Sequence, residues 1–359
     1  MKPDGTPPRM LPTPAGEVRT PVFVPDATRG VIRGVSPDQL RAVGVETLLV
    51  STAHLTTQPG ASVVAKLGGI HDFTRWDGPI ISDSGGFQAF SLLTANGLGQ
   101  LSDHGFQYRF SPKEKFRQLT PESCIQAQVR MGADIVYTLD LCTSPKATRE
   151  DQEHSVELTE RWARKCRRVF DDLMKDRDPP HPLLFAVVQG GPYADLRARC
   201  ATTLAEIGFD GFGFGGYPIL EGRLVDEVVA LPELLPGAPL HGLGIGSPDS
   251  LITAWAAGYD VFDCVLPTRN GRRGVLYRMS DDPLGRDATI ARMDGQRWIR
   301  ERGPIDPTCD CPACAGFSAG YLAHLFRIED RLAATLGSLH NLRFYARLLE
   351  RLRAAERPG

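Results

Sequence analysis

A (β/α)8 barrel of the TIM type, an α/β fold, is predicted by three features of this 359-residue sequence. Short apolar runs recur along it, helix-forming segments separate most of them, and polar residues collect at the C-terminal ends of the runs. Eight runs are present: TPVFVP, ETLLVS, PIISDS, DIVYTLD, LLFAVVQ, FGFGG, HGLGIG and VFDCVLP. They are too short and too evenly apolar for amphipathic helices, and they fit strands buried on both faces. An open doubly wound sheet is the alternative reading of the same alternation.

In chain order, residues 1–19 include MKPDGTPPRMLPTPAG, whose Pro and Gly content reads as an extended or frayed N-terminal arm. The barrel is expected over 20–275. SPDQLRAVG follows the first run, with Ser36 and Pro37 at the cap and first-turn positions and Gly44 as the stop. HDFTRWDG is an excursion between the second and third runs. The stretch from Leu92 to Arg117, with its Gly and aromatic residues, is expected to hold an inserted hairpin. TPESCIQAQVRMG and SPDSLITAWAAG repeat the Ser/Thr-Pro opening and Gly close, and SVELTERWARKCRRVFDDLMK is the longest helix candidate. Residues 276–345 read as a zinc-binding subdomain and 346–359 as a helix end and tail.

Apolar residues make up 42% and charged residues 23%, which is ordinary globular usage. The formal net charge of −2 excludes a bulk polycation, so any nucleic-acid contact must come from local patches. No apolar run reaches the length of a membrane span and no signal peptide opens the chain, which predicts a cytoplasmic protein with no membrane partner. The eight cysteines then belong to a reducing compartment and are not a disulfide framework.

Three of those cysteines crowd into CDCPAC. Cys309, Cys311 and Cys314 are spaced to reach one tetrahedral Zn²⁺ from a loop, and a following helix returns a histidine. His340 is taken as the fourth ligand, with His324 as its rival. Such a shell leaves no position for water, so one structural Zn²⁺ is expected. Cys142 and Cys264 follow near rim acids with no histidine neighbour in sequence, and read as packing or pocket wall.

Asp83, Asp140, Gln189, Gly215-Gly216 and Asp263 all fall at or near strand ends. One acid there is ordinarily a helix cap or turn residue. Several at equivalent ends of one barrel would aim at one mouth. Arg269, Arg272 and Arg273 then follow Asp263 in what reads as a glycine-containing loop.

With SDSGGFQAFSL, VVQGG, FGFGG, FDCVLPTRNGRRG and CDCPAC…H in order from about Thr20 to near Arg351, the chain resembles the tRNA-guanine transglycosylase (queuine tRNA-ribosyltransferase) family of bacterial type. The resemblance implies exchange of guanine at the wobble position of a tRNA with a GUN anticodon for a 7-deazaguanine base, preQ1 by bacterial analogy, in queuosine biosynthesis. It implies Asp263 as nucleophile and Asp83 as general acid/base. Phe87 would stack on the base, Asp140, Gln189 and Gly216 would read it, and Tyr217 and Glu221 would wall the pocket. Arg269, Arg272 and Arg273 would grip tRNA phosphates, and a homodimer is implied. The pattern departs from the family at Tyr217-Pro218, where Leu-Ala is usual, at Leu141 for Glu, and at Ser51 for Asn. Ser51 and His54 are expected to support Asp83 from behind. The short N-terminus implies a reduced barrel plug.

Tyr217-Pro218 keeps open a paralogue that salvages queuine or another deazaguanine. The other rival readings are, in order, a catalytically silent tRNA-binding subunit, an enzyme acting on DNA, and a barrel hydrolase using the two acids on a sugar. Retention of both Asp83 and Asp263 opposes the first. Weak overall basicity opposes the second, and neither the arginines nor the closed metal site is explained by the third.

Overall fold

The computed structural model describes residues 9–93, 97–286 and 288–355. Its centre is eight parallel strands, one from each apolar run: β1 Val22–Pro25, β2 Leu48–Ser51, β3 Ile80–Asp83, β4 Ile135–Tyr137, β5 Leu183–Val188, β6 Gly211–Phe214, β7 Leu240–Gly242 and β8 Val261–Cys264. Chain order is spatial order, with β8 beside β1. A parallel bridge between Asp26 and Leu49, with the Ala27 N–H donating to the Leu49 carbonyl at 2.7 Å, joins β1 to β2 and closes the barrel. That closure rules out the open sheet.

Side chains along the strands alternate between the interior and the helical layer. Val22, Val24, Leu49, Ile81, Ile135, Tyr137, Phe185, Val187 and Val261 pack together inside. Their sequence neighbours Phe23, Ala186, Val188, Phe212 and Phe262 pack outward beneath the helices. Strand residues repeat every two positions, so on five strands the interior series continues two residues further to the rim; β4 breaks step, with Leu139 packed outward and Asp140 facing the cavity. The next interior positions are Asp26, Ser51, Asp83, Gln189 and Asp263. The run grammar therefore determines which polar groups face the mouth.

The N-terminal arm is corrected. Met10–Thr13 and Gly16–Arg19 form an antiparallel hairpin, and Leu11 and Val18 pack into the interior cluster. The Ala15 N–H at its turn donates to Asp134 Oδ1 at 2.9 Å. The barrel floor is thus plugged; residues 1–8 lie outside the described residues. Proline and glycine dominate the composition here, but Leu11 and Val18 supply the alternation a hairpin needs.

Helix Arg149–Met174 is the long one expected, opened by a reciprocal cap between Thr148 and Asp151. The insertion after β3 is a three-stranded antiparallel sheet, Gly99–Ser102, Gly105–Tyr108 and Arg117–Leu119, one strand more than a hairpin; residues 94–96 lie outside the described residues. Beyond β8, the arginine segment is a short helix, Leu266–Arg272, and not a loop. Its glycine has a packing reason: a Cβ on Gly271 would sit 2.5 Å from the Gly337 carbonyl oxygen. Gly337 lies on helix Arg331–Ala354, which runs unbroken through 345/346, carries His340, and packs Tyr345, Leu348 and Leu352 onto the barrel's outer core.

Candidate active site and metal centre

A cavity of about 470 Å³ opens at the C-terminal ends of the strands. It is lined by Asp83, Asp263, Asp140, Gln189, Gly216 and Tyr217, with Phe87 at the edge. Asp83 and Asp263 are interior ends of β3 and β8, and both belong to this one cavity.

Asp83 Oδ1 accepts from the backbone N–H groups of Thr52 (2.9 Å) and Gly85 (3.0 Å), and Oδ2 accepts from Gln88 Nε2 at 2.9 Å. Burial nevertheless pushes its carboxyl up to about 7; the Thr52 N–H opposes that shift and the nearby Asp26 charge adds to it. Ser51 lies opposite Asp83 in the β2–β3 ladder and lines the cavity, and its hydroxyl is 3.1 Å from His54 Nδ1. His54 in turn stacks on Phe110.

Asp263 Oδ1 accepts from the Gly244 N–H at 3.1 Å and lies 3.0 Å from Nε2 of the fully buried His241. Asp140 is buried, accepting from Gln189 Nε2 at 2.7 Å and Ser84 Oγ at 3.4 Å. Burial raises its carboxyl to about 6. Gly215 is required beside this pair: a Cβ there would meet the Val188 carbonyl oxygen at 2.6 Å and Gln189 Nε2 at 2.7 Å. Phe87 is 51% exposed and Tyr217 37%, their rings edge to face at 6.0 Å. Two large, partly exposed rings above a polar floor offer aromatic faces on which a planar heterocycle can stack. Cys142 and Cys264 are cavity wall, and burial pushes their thiols to about 12 and about 11, so neither is a thiolate nucleophile.

Some expected residues lie elsewhere. Glu221 sits exposed at the tip of the hairpin Ile219–Leu220/Arg223–Leu224 with φ +49°, off the cavity lining. Leu141 packs into the apolar layer with Leu158 and Trp162 and brings nothing polar to the pocket. Arg269 and Arg273 are exposed on the helix after β8 and Arg272 is half-buried. Burial and then the neighbouring Arg33 and Arg273 charges hold the Arg272 guanidinium below its usual range, so these cations crowd one another.

Three further residues contribute to the site. Asp26 lines the cavity as a third carboxylate; burial and, after the opposing Thr28 hydrogen bonds, the Asp263 charge raise its pKa. His241 stands behind Asp263. Arg197, buried over the Phe214 ring at 4.2 Å, donates to the carbonyls of Val188 (3.0 Å) and Gly191 (2.9 Å) and braces the loop that carries Gln189. Strand parity would have found Asp26 and His241; a lone Arg in an amphipathic helix carries no such signal.

In the C-terminal segment, the Cys309, Cys311 and Cys314 sulfurs and a His340 nitrogen all lie within 4.8 Å of one another, and all four residues are buried. A tetrahedral ion with metal–sulfur bonds of about 2.3 Å places ligand atoms about 3.8 Å apart, so the cluster fits a metal ion. His340 Nδ1 lies 3.4 and 3.3 Å from the Cys311 and Cys314 sulfurs, while Nε2 is 2.6 Å from the Tyr277 carbonyl. Donation by Nε2–H to that carbonyl leaves the Nδ1 lone pair facing the thiols, the usual outer support of a ligating histidine. His324 lies outside the cluster, its ring tilted against Tyr321 at 6.4 Å.

The family model for queuine tRNA-ribosyltransferase matches residues 9–357. The chain belongs to that family. A queuine tRNA-ribosyltransferase of Solidesulfovibrio magneticus is 40% identical over 352 residues, covering 97% of this chain and 90% of the relative. Those of Stenotrophomonas maltophilia strain R551-3 and Nitratidesulfovibrio vulgaris strain DP4 are also 40% identical, over 96% and 97% of this chain and 89% and 90% of their own lengths. Family membership thus spans the barrel and the metal cluster together. Among the described residues no helix is long and apolar enough to cross a membrane.

Proposed function

We propose that this tRNA-guanine pentosyltransferase replaces guanine at position 34 of a GUN-anticodon tRNA with a 7-deazaguanine, preQ1, by double displacement. The observation that carries the reading is the pair of interior carboxylates, Asp83 and Asp263, on one cavity whose floor holds the Asp140–Gln189 pair. Asp263 attacks ribose C1′, the bond to guanine N9 breaks, and its electrons pass into the purine. Asp83, neutral up to about pH 7, gives its proton to the leaving guanine. The new base then loses its N9 proton to Asp83 and attacks C1′, and the bond to Asp263 breaks. One N-glycosidic bond replaces another, so no ATP is needed.

The ionised Asp140 accepts from N1–H and N2–H of a guanine-like base, and Gln189 and the Gly216 N–H donate to O6. Adenine offers the opposite pattern. Phe87 stacks on the ring, and Arg269, Arg272 and Arg273 pair with anticodon phosphates. Tyr217 and Pro218 wall the pocket where a 7-substituent lies, and Pro218 has no N–H to offer it. The same reading includes one Zn²⁺ on Cys309, Cys311, Cys314 and His340, a homodimer, and a cytoplasmic location.

The test is mass spectrometry of anticodon nucleosides after incubation with unmodified tRNA and, separately, preQ1, the cyano base and queuine. Incorporation of preQ1 at position 34 is expected. Exchange of labelled guanine with none of the three bases incorporated would remove the 7-deazaguanine assignment.

The metal makes its own prediction. Bound zinc would tie the Cys309–Cys314 turn to helix Arg331–Ala354 and close the cluster of Leu276, Trp298, Leu322 and Leu336 around it. One equivalent of zinc is expected by elemental analysis. Stripping it, or Cys311→Ala, should cost on the order of 5 kcal/mol and lower Tm sharply. An unchanged Tm after complete metal removal would show that the four side chains hold the region together unaided.

A further inference from the structure

Tyr137, His241 and Asp263 form a polar chain across the barrel interior, from β4 through β7 to β8. The Tyr137 hydroxyl is 2.6 Å from His241 Nδ1, and His241 Nε2 is 3.0 Å from Asp263 Oδ1. Both the tyrosine and the histidine are buried, and Tyr137 stands among Phe185, Val187 and Ile81. A polar pair in such a core is costly unless each donor finds an acceptor.

We infer that His241 is a positioning residue for Asp263, fixed by Tyr137, which holds Oδ1 so that Oδ2 is the oxygen that attacks the sugar. The inference rests on Asp263 being the nucleophile, as proposed above. The hydrogen-bond logic has one consistent solution for a neutral imidazole. Burial raises the Tyr137 phenol well above its usual range, so its O–H stays intact and donates to Nδ1. The imidazole proton then sits on Nε2, toward Asp263. In the free protein that N–H is not aligned on Oδ1, and Nε2 has no other acceptor. It is a buried donor with one carboxylate oxygen in reach.

Oδ1 also accepts from the Gly244 N–H, so both fixed donors address the same oxygen. Oδ2 has no hydrogen-bond donor among the described residues. When Oδ2 bonds to C1′, Oδ1 becomes the ester carbonyl oxygen, and a small turn of the carboxyl aligns it with Nε2–H. In the second displacement charge returns to Oδ1 as the C1′–Oδ2 bond breaks, and the same two donors stabilise it. No proton leaves His241 in either step.

Three variants test this in the full-length protein: His241→Phe, His241→Gln and Tyr137→Phe. The readouts are kcat and KM for tRNA, and the single-turnover rate of the covalent tRNA adduct. His241→Phe should lower kcat and adduct formation about 30-fold with KM for tRNA unchanged. His241→Gln restores an amide donor and should recover to within about 5-fold of wild type. Tyr137→Phe frees the tautomer and should lower kcat about 5-fold. Should the His241→Phe protein fail to fold, the other two variants decide. A His241→Gln protein as slow as His241→Phe, a Tyr137→Phe protein with wild-type kcat, or losses confined to KM would overturn the inference. Asp263→Asn is the control: no adduct from it beside a wild-type rate from His241→Phe sinks this inference alone. Adduct from Asp263→Asn sinks the nucleophile assignment and this inference together.

Discussion

Asp263→Asn is expected to abolish base exchange, with kcat at least ~10⁴-fold down and no covalent tRNA adduct on a denaturing gel. The substitution is almost isosteric, so its effect isolates the chemistry. The Gly244 N–H and His241 Nε2 both address Oδ1. The Gly244 N–H, which is hydrogen-bonded to Oδ1, directs the Asn carbonyl oxygen into that position and the amide nitrogen into the other. The group presented in place of Oδ2 is then an NH2 with its lone pair delocalised, which is no nucleophile. Binding of tRNA should persist, because the arginines of helix Leu266–Arg272 are untouched. Incorporation of labelled guanine at the normal rate by this variant would remove Asp263 from the reaction.

Much of this arrangement is legible in the sequence because a barrel couples pattern to position. Eight evenly apolar runs identify the strands, and period-two alternation carries Ile81 to Asp83, Val187 to Gln189 and Val261 to Asp263 on the interior side. The same parity carries Val24 to Asp26, although Pro25 closes the apolar run before it. His241 was hidden inside HGLGIG, a run whose glycines draw attention to the turn and away from its one titratable side chain. Cys309, Cys311 and Cys314 were visible by local spacing, whereas choosing His340 over His324 required the helix to be placed in space. The arginine segment misled because Gly271 reads as a loop signal in sequence. Its reason is tertiary, the close crossing with Gly337, and no local propensity encodes that contact. The N-terminal hairpin is masked for the complementary reason: its Pro and Gly content signals an irregular arm, while the spacing of Leu11 and Val18 is what pairs and buries it.

Asp83→Asn carries the other large effect, and it has two parts with opposite signs. Exchange should fall by ~10²–10⁴-fold, since the proton given to departing guanine and taken from the incoming base has lost its carrier. Stability should move the other way. The Asp83 carboxyl titrates near 7 in the folded protein, against about 3.9 when unfolded. Below pH ~4 both states hold the proton and Asp83 costs nothing. As pH rises toward 7 the unfolded chain releases the proton first, so the folded state loses stability across that window, and above it the loss is complete. Asn cannot ionise and escapes this loss. Above pH 7 the variant should therefore be the more stable protein, by about 2 kcal/mol once the water of the adjoining cavity is allowed for, with the gain vanishing near pH 4. The hydrogen bonds accommodate the change. Oδ1 keeps the Thr52 and Gly85 N–H groups. The amide that replaces Oδ2 becomes a donor, and a turn of Gln88 brings its buried, unpartnered Oε1 to accept from it. That turn also serves a protonated Asp83, so Gln88 is suited to both halves of the proton cycle. Thermal unfolding of both proteins at pH 4, 6 and 8 measures the effect. A variant less stable than wild type at pH 8, or an offset independent of pH, would mean that Asp83 is already a carboxylate before guanine arrives, and the proton for its departure would have to come from elsewhere.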